Sequence, residues 1–318
     1  MRAFSPRQYR LWLAARLAPS EASMVRFASL PVRLVVSSSL TALAAAVSVG
    51  AQFGQEPAKL RVLTAAANVF VLNNDVSPGN ATAVVTDAGV ILIDDKFAVD
   101  HETILATLKT LTAQPIRYVV NTHHHADHTG GNAKLLQLNI PIIASEQAIG
   151  HMSDRSDTRF VEATPGFPTI GVRDGATIRL GGTVVELHYF GRGHTNGDVV
   201  VHLPAQRLLV TGDLFTFGPA TPQLIDYAGG GSAKEWTSTL DAALKLDFDT
   251  VVPGHGVVAT RADLRAFRDS TVRLSTRVHE MVAQKKSRDE IAAMLRTEFG
   301  WIPFLLDRGL DGLIGEHQ

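Results

Sequence analysis

The stretch Asn121–Gly131, which reads NTHHHADHTGG, is the most informative part of this sequence. It places the pattern His-x-His-x-Asp-His just after Ile116–Val120, an apolar run that predicts a β-strand. Residues two apart in an extended loop can project their side chains the same way. We therefore expect His123 and His125 to share one metal ion.

The remainder of this motif offers further ligands. Asp127 and His128 are adjacent and can turn towards a second ion nearby. His124 occupies the unspecified position of the pattern, and we interpret it as a residue that supports the site without binding metal. A solvated loop with an adventitious run of histidines is the alternative. Four spaced donors at a strand end, followed by two glycines, favour a metal site.

Composition restricts the chemistry of such a site. Of the 318 residues, 45% are hydrophobic and 19% are charged, which suits one large globular domain or two small ones. The chain has no cysteine, so disulfide scaffolds, cysteine nucleophiles and thiolate metal sites are excluded. Any metal must bind to nitrogen and oxygen, and imidazole with carboxylate suits zinc, iron or manganese.

Charge is distributed unevenly along the chain. The 30 Lys and Arg nearly balance the 31 Asp and Glu. Residues 1–50, however, hold six arginines and one acid, a charge of +5, which leaves 24 bases against 30 acids, or -6, for the rest. An acidic main part argues against a nucleic-acid partner. We expect a small-molecule substrate instead.

The N-terminal part resembles an export signal. No charged residue occurs from Leu34 to Gln55, directly after a basic segment, and Val49–Ala51 supplies small residues for cleavage. We predict that residues 1–51 form an N-terminal extension and signal peptide, with translation starting at Met1 or Met24. The mature protein would be periplasmic or secreted, without stable membrane association. An uncleaved anchor is the alternative, because about 20 apolar residues can span a bilayer.

After Glu56 the pattern predicts a layered α/β protein. We predict the following strands: 81–86, 90–93, 116–120, 140–144, 177–180, 183–189, 198–203, 207–211 and 250–252. We predict these helices: 101–111, a short one after Gly131, 233–246, a helical stretch from 261, and one that starts at Ser287 and runs to about 299. Residues 153–175 are polar and punctuated by Pro and Gly, which predicts a surface loop. We place a core domain at 58–258 and a C-terminal helical segment, packed on it, at 259–318.

Three later segments repeat the arrangement of a ligand at a strand end. His194 lies in a Gly-rich turn between two predicted strands, Asp213 follows Leu209–Thr211, and His255 follows Val251–Val252. Each of these turns alone is weak evidence for a site. Their joint occurrence, in this order after the histidine motif, predicts one composite metal site.

The histidine motif and these three later segments, together with Asp94 at the end of the strand 90–93, resemble the metallo-β-lactamase fold superfamily, over roughly Asn68 to Gly256. The resemblance implies a four-layer αβ/βα sandwich with C-terminal helices and a metal centre at one edge between the sheets. It implies a first metal held by His123, His125 and His194, and a second held by Asp127, His128 and His255. Asp213 would bridge the two, and Asp94 would order the histidine loop without binding metal.

The implied chemistry is hydrolysis. Water bound between two Zn²⁺ ions loses its proton near neutral pH and can attack an acyl carbon, while the ions stabilise the developing charge. Asp127 would orient that hydroxide or carry a proton to the leaving group; iron and manganese are alternatives to zinc. Cyclic amides or esters, such as β-lactams or lactones, are the predicted substrates of this exported hydrolase. A substrate contact is predicted for Tyr227, with core packing as its alternative.

Three other functions remain open. A bridging Asp213 looks more like glyoxalase II and lactonases than like dedicated lactamases, so a thioester hydrolase of glyoxalase II type is one alternative. A mononuclear iron oxidoreductase, similar to persulfide dioxygenases, is another. A non-catalytic binding protein on a retained fold is the third, although the intact ligand set disfavours it.

Overall fold

The computed structural model describes residues 56–74, 77–154, 166–218 and 222–318. The predicted extension and export signal at 1–51 lie outside these residues. Within them, no helix combines the length and the apolar character that crossing a bilayer requires.

Among the described residues, the first sheet has seven strands, in the order β1 to β7. Their bounds are β1 Arg61–Ala66, β2 Val69–Asn73, β3 Ala81–Thr86, β4 Gly89–Ile93, β5 Ile116–Val120, β6 Ile142–Ser145 and β7 Ile170–Val172. Strands β1 to β4 form antiparallel hairpins, whereas β4 to β7 run parallel. The predicted hairpin of β3 and β4 is confirmed, and so is strand β5 before the histidine motif.

The second sheet has six strands, in the order β13-β12-β11-β10-β9-β8. Their bounds are β8 Gly175–Leu180, β9 Thr183–Tyr189, β10 Val199–Leu203, β11 Leu208–Val210, β12 Thr250–Val252 and β13 Ala259–Thr260. All neighbours are antiparallel except β11 and β12, which run parallel. The parallel pair places the ends of β11 and β12 side by side.

Eight α-helices connect and cover these strands within the described residues. They are α1 His101–Leu111, α2 Ala126–Thr129, α3 Asn132–Gln137, α4 Glu146–Ser153, α5 Ala233–Ala243, α6 Arg261–Ala283, α7 Arg288–Phe299 and α8 Pro303–Glu316. The predicted start of α7 is confirmed: Ser287 caps the helix and Glu290 returns the bond, as in a capping box.

Three apolar cores define four layers. Between the sheets, Ile91 of β4 and Val201 of β10 belong to one buried cluster. Ile104 of α1 packs against the outer face of the first sheet. Trp236 of α5 and Leu274 of α6 lie in the cluster on the outer face of the second sheet, which also includes residues of α7 and α8. The predicted αβ/βα sandwich with C-terminal helices is thus confirmed.

The loop predicted at 153–175 is wrong in part. Ser153 ends α4, and Ile170–Val172 forms β7, which pairs with β6 through backbone hydrogen bonds. Only Val172 of this three-residue strand is buried. A single buried apolar side chain gives no alternating pattern of apolar and polar residues, so this strand could not be predicted from a Pro- and Gly-rich sequence.

Candidate metal centre

Strand ends gather the predicted site at one edge of the sandwich. His123–His128 follow β5, Asp94 follows β4, and Asp213 and His255 follow the parallel strands β11 and β12. His194 lies in the connection between β9 and β10. The carboxyl ends of neighbouring parallel strands meet at one edge of a sheet, which is why residues so distant in sequence converge.

A first group consists of His123, His125, His194 and Asp213. All four are buried, and one ligand atom from each lies within 4.8 Å of the others. His125 Nδ1 is 3.1 Å from His194 Nε2, which is 3.6 Å from Asp213 Oδ2. These nitrogens and the carboxylate converge on one small volume.

A second group consists of Asp127, His128 and His255, again with ligand atoms within 4.8 Å of one another. His255 Nε2 is 3.3 Å from Asp127 Oδ2 and 3.5 Å from His128 Nε2. The side chains of Asp127 and His255 are 19% and 14% exposed, whereas that of His128 is fully buried. This group therefore lies on the solvent side of the first.

Asp213 lies between the two groups. Its Oδ1 is 3.3 Å from His128 Nε2, and its Oδ2 is 3.3 Å from His255 Nε2 as well as 3.6 Å from His194 Nε2. A Cβ on Gly254 would lie 2.0 Å from Asp213 Oδ1. Only glycine at this position leaves room for the carboxylate.

Asp94 orients the second group. Its Oδ2 is 2.8 Å from His128 Nδ1, and it also accepts hydrogen bonds from Thr122 N and Thr122 Oγ1, each at 2.7 Å. A hydrogen on His128 Nδ1 leaves Nε2 as the lone pair that faces Asp127 and Asp213. Carboxylates that hold a metal-binding histidine in this way fix its tautomer.

Asp226 orients the first group, and sequence reasoning missed it. Its Oδ2 is 3.0 Å from His125 Nε2, which leaves His125 Nδ1 to face His194. Although burial opposes ionisation, the adjacent His124 and the hydrogen bond with His125 hold the Asp226 pKa far below its usual value. The one available signal was that Asp226 is the first acid after Asp213.

His124 lies beside His151 and Asp226. Its ring stacks on His151 at 4.6 Å between centroids, and its Nε2 lies 3.6 Å from Asp226 Oδ2. Burial lowers the His124 pKa to about 3, so the ring is neutral. The structure thus places it beside the carboxylate that holds His125.

The pKa values of the histidines differ between the two groups. Burial, together with the neighbouring His128 and His125, holds the His123 pKa well below its usual value. For His128 burial also opposes charge, but the carboxylates of Asp213 and Asp127 outweigh it and raise the pKa well above the usual value. Conversely, His255 and His128 overcome the effect of burial and hold the Asp213 pKa well below its usual value.

These residues fit a bound divalent cation. His123 Nε2 is buried and has no hydrogen-bond partner among the described residues. Burying an unpaired polar atom costs about 1–3 kcal/mol, and a metal ion offsets that cost. Five imidazoles converge on Asp127 and Asp213, and together these side chains supply the nitrogen and oxygen ligands of zinc, iron or manganese. The groups can therefore hold metal ions.

A buried lysine supports the loop beside the second group. Lys96 is fully buried, and its ammonium donates to the Gly79 carbonyl at 2.6 Å and to the Asn74 side chain. The Gly79 amide in turn donates to Asp127 Oδ2 at 3.2 Å. Burial lowers the Lys96 pKa to about 7 against the opposing pull of nearby carboxylates. Sequence reasoning missed this residue, because an isolated lysine is normally exposed.

Tyr227 is tied to the C-terminal helix. Its hydroxyl donates to Glu316 Oε2 at 2.8 Å. The other oxygen of Glu316 accepts from Ser232 Oγ, and its Oε2 also accepts the Ala233 amide at 2.9 Å. The ring packs against the cluster that contains α5 to α8. Tyr227 thus packs against the C-terminal helices, and its substrate contact stays a prediction.

Comparison with known proteins identifies the family of this chain. Residues 74–255, more than half of the chain, match the family model of the metallo-beta-lactamase superfamily. The chain belongs to this superfamily. A metallo-beta-lactamase type 2 of Bacillus sp. (strain 170) is 27% identical over 194 residues, which are 59% of this chain and 71% of the relative.

Other relatives extend the range of chemistry within the metallo-β-lactamase superfamily. A hydroxyacylglutathione hydrolase of Crocosphaera subtropica is 30% identical over 149 residues, or 46% of this chain and 47% of that enzyme. Among solved structures, a metallo-beta-lactamase from Pontibacter korlensis has a TM-score of 0.58 and 24% identity, and covers 66% of this chain and 99% of its own. This last likeness shows the fold. The chain is a metal-dependent hydrolase of the superfamily.

Proposed function

We propose that this chain is an exported dinuclear zinc hydrolase of acyl compounds, with cyclic amides or esters, β-lactams or lactones, as its substrates. The observation that carries the proposal is the position of Asp213. Its two oxygens face His128 and His255 of the second group, and one of them also faces His194 of the first. A carboxylate shared in this way suits a pair of ions.

The proposed ligands follow the two groups. The first Zn²⁺ would be held by His123 Nε2, His125 Nδ1 and His194 Nε2. The second would be held by Asp127, His128 and His255, and Asp213 would be shared between them. Bound zinc ions would activate water for attack and stabilise negative charge on the substrate oxygen. Zinc suits the histidine-rich first group better than iron or manganese does.

The chain's own groups orient and move protons. Asp127 is the most exposed of the candidate carboxylates, at 19% of its side chain, and the Gly79 amide fixes its Oδ2. His128 and His255 hold its pKa below the usual value despite burial, so the carboxylate is ionised at neutral pH. It can accept a proton at an oxygen and pass it to the leaving group. No side-chain nucleophile is required.

A thioester hydrolase of glyoxalase II type is the second candidate. The same shared position of Asp213 supports it, together with the 30% identity to a hydroxyacylglutathione hydrolase. Export disfavours it, because a glutathione thioester is not the obvious substrate outside the cytosol. Metal analysis of the purified protein distinguishes a mononuclear iron oxidoreductase from these two hydrolases. One iron and no zinc per chain would exclude the hydrolase proposal.

A hydrolysis panel tests the substrate class. Zinc-loaded protein is assayed with a chromogenic cephalosporin, an acyl-homoserine lactone, a glutathione thioester and a phosphodiester. We expect turnover of the cephalosporin or the lactone, and its loss together with zinc in the H123A/D127A double variant. Turnover of the thioester alone selects the second candidate. Turnover of the phosphodiester alone, or full zinc and activity in the double variant, contradicts the proposal.

The domain boundaries and the cellular location belong to the same proposal. Residues 1–51 would be removed on export to the periplasm or medium, and 259–318 would stay with the core at 58–258 as one enzyme without nucleic-acid partners. N-terminal sequencing of the protein recovered from the periplasm checks this: we expect a start near Gln52. A start at Met1 or Met24 in a membrane fraction would contradict it.

A further inference from the structure

A third cluster of ligand-type side chains lies on the second sheet, away from the residues assigned above. Glu186 and His188 are two apart on β9, and His202 on β10 stands opposite Glu186 in the antiparallel register. Residues two apart in a strand share a face. Val185 and Leu187 point into the core between the sheets, so the cluster lies on the opposite face.

The cluster is compact. Glu186 Oε2 is 3.1 Å from His202 Nδ1 and 3.5 Å from His188 Nε2. One ligand atom of each residue lies within 4.8 Å of the other two. The exposed fractions of the side chains, 35% for Glu186, 28% for His188 and 7% for His202, leave one side open to water.

Hydrogen bonding prepares His202 as a ligand. Its Nε2 lies 3.1 Å from the Asp247 carbonyl, which can only accept, so Nε2 carries a hydrogen. In the neutral ring Nδ1 is then a lone pair that faces the Glu186 carboxylate. Two electron-rich atoms at 3.1 Å require a cation, a proton or a metal ion, between or beside them. A backbone carbonyl behind a histidine is also a common second contact of metal-binding histidines.

His188 offers the third donor. Its Nε2 is buried and makes no hydrogen bond within the described part of the chain. Its ring stacks on Phe190, with 5.3 Å between centroids and 6° between planes, which fixes its orientation.

We propose that Glu186, His188 and His202 bind one divalent transition-metal ion, Zn²⁺ in the first place, at a site separate from the active-site pair. Two imidazoles and one carboxylate are typical ligands of zinc, and water would complete the coordination on the exposed side. The ion would clamp β9 to β10 and to the loop at Asp247. Strand β9 leads directly into the turn that carries His194, so the clamp would stabilise the support of the first metal group.

Metal stoichiometry tests this site in the full-length protein. Wild type, the H188A/H202A variant and the control H279A are loaded with excess zinc, desalted and analysed for zinc per chain. We expect wild type and H279A to hold one ion more than H188A/H202A, and all three to keep hydrolase activity within about threefold. His279 on α6 is a matched control, since it is a histidine outside the cluster.

A second comparison separates this site from the hydrolase. In H123A/D127A, which disables the proposed active-site pair, the extra ion should persist and disappear only when H188A is added. H188A alone serves if the buried His202 substitution prevents folding. Equal zinc contents in folded wild type and H188A would overturn the proposal and leave the cluster as a Glu186–His202 ion pair only.

Discussion

Replacing Asp94 by Asn should weaken one metal site and spare the other. The two oxygens of Asp94 accept hydrogen bonds from His128 Nδ1 at 2.8 Å and from Thr122 N at 2.7 Å. An amide has only one oxygen, so either His128 or Thr122 loses its acceptor. If the amide nitrogen faces His128, the histidine hydrogen must move to Nε2, the atom that should bind the second metal.

The size of the effect follows from these contacts. Loss of such a partner typically lowers metal affinity about 10–100-fold, which is about 1.4–2.7 kcal/mol. Among the proposed ligands, Asp94 bonds only His128, so the loss should fall on the second site. Asp94 has a φ of 58°, a left-handed conformation that Asn adopts as readily as Asp. The backbone should therefore not change.

Competition with a chromogenic chelator gives the two zinc dissociation constants. We expect D94N to raise one of the two dissociation constants 10–100-fold and to change the other less than threefold. D95N is the control, because the neighbouring buried Asp95 accepts the Gly131 amide at 2.8 Å. Equal weakening of both sites in D94N, or no weakening at all, would refute the orienting role of Asp94.

Three further substitutions test other parts of the structure. Gly79→Ala puts a Cβ 2.2 Å from His128 Cε1, so the variant should lose second-site zinc, measured by elemental analysis, while retaining the first. In the folded wild type the Lys96 pKa is about 7, whereas an exposed lysine has a pKa near 10.4. Between these values the unfolded chain binds more protons than the folded one, so the free energy of unfolding of the wild type rises with pH. Lys96→Met should abolish this rise between about pH 7 and 10. Parallel pH dependence of urea unfolding in K96M and wild type would contradict this. Tyr227→Phe should cost about 1.5–3 kcal/mol of unfolding free energy through its lost bond to Glu316, with kcat/KM unchanged; a tenfold loss of kcat/KM would support the predicted substrate contact.

Much of the fold was predictable because its signals are local. An apolar run such as Ile116–Val120 and a capping box such as Ser287–Glu290 are each contained in a few residues. Strand β7 was not predicted, because its backbone pairing with β6 forms it and its own side chains show no pattern. Local patterns cannot report a partner strand that lies elsewhere in the chain.

The same distinction applies to the site. His123, His125 and Asp127 share one motif, whereas Asp226 reaches His125 only through the irregular segment that follows β11. The cluster on β9 and β10 was equally hidden, because Glu186 and His202 meet only through the register of two strands. Lys96 is buried although lysines are normally exposed. The reason appears only in the folded structure, where two oxygen atoms accept hydrogen bonds from its ammonium.

Glu316, on the last turn of α8, ties the C-terminal helices to the core domain. Its carboxylate meets the start of α5, where a negative charge offsets the helix dipole and the Ala233 amide finds its acceptor. The same carboxylate accepts the hydroxyl of Tyr227, and the adjacent Asp226 holds His125. Helix α8 therefore braces the segment that supports the first metal group. A minimal catalytic fragment ended at residue 258 would lack this brace. Fusion partners and affinity tags are accordingly better attached upstream of β1 than behind α8.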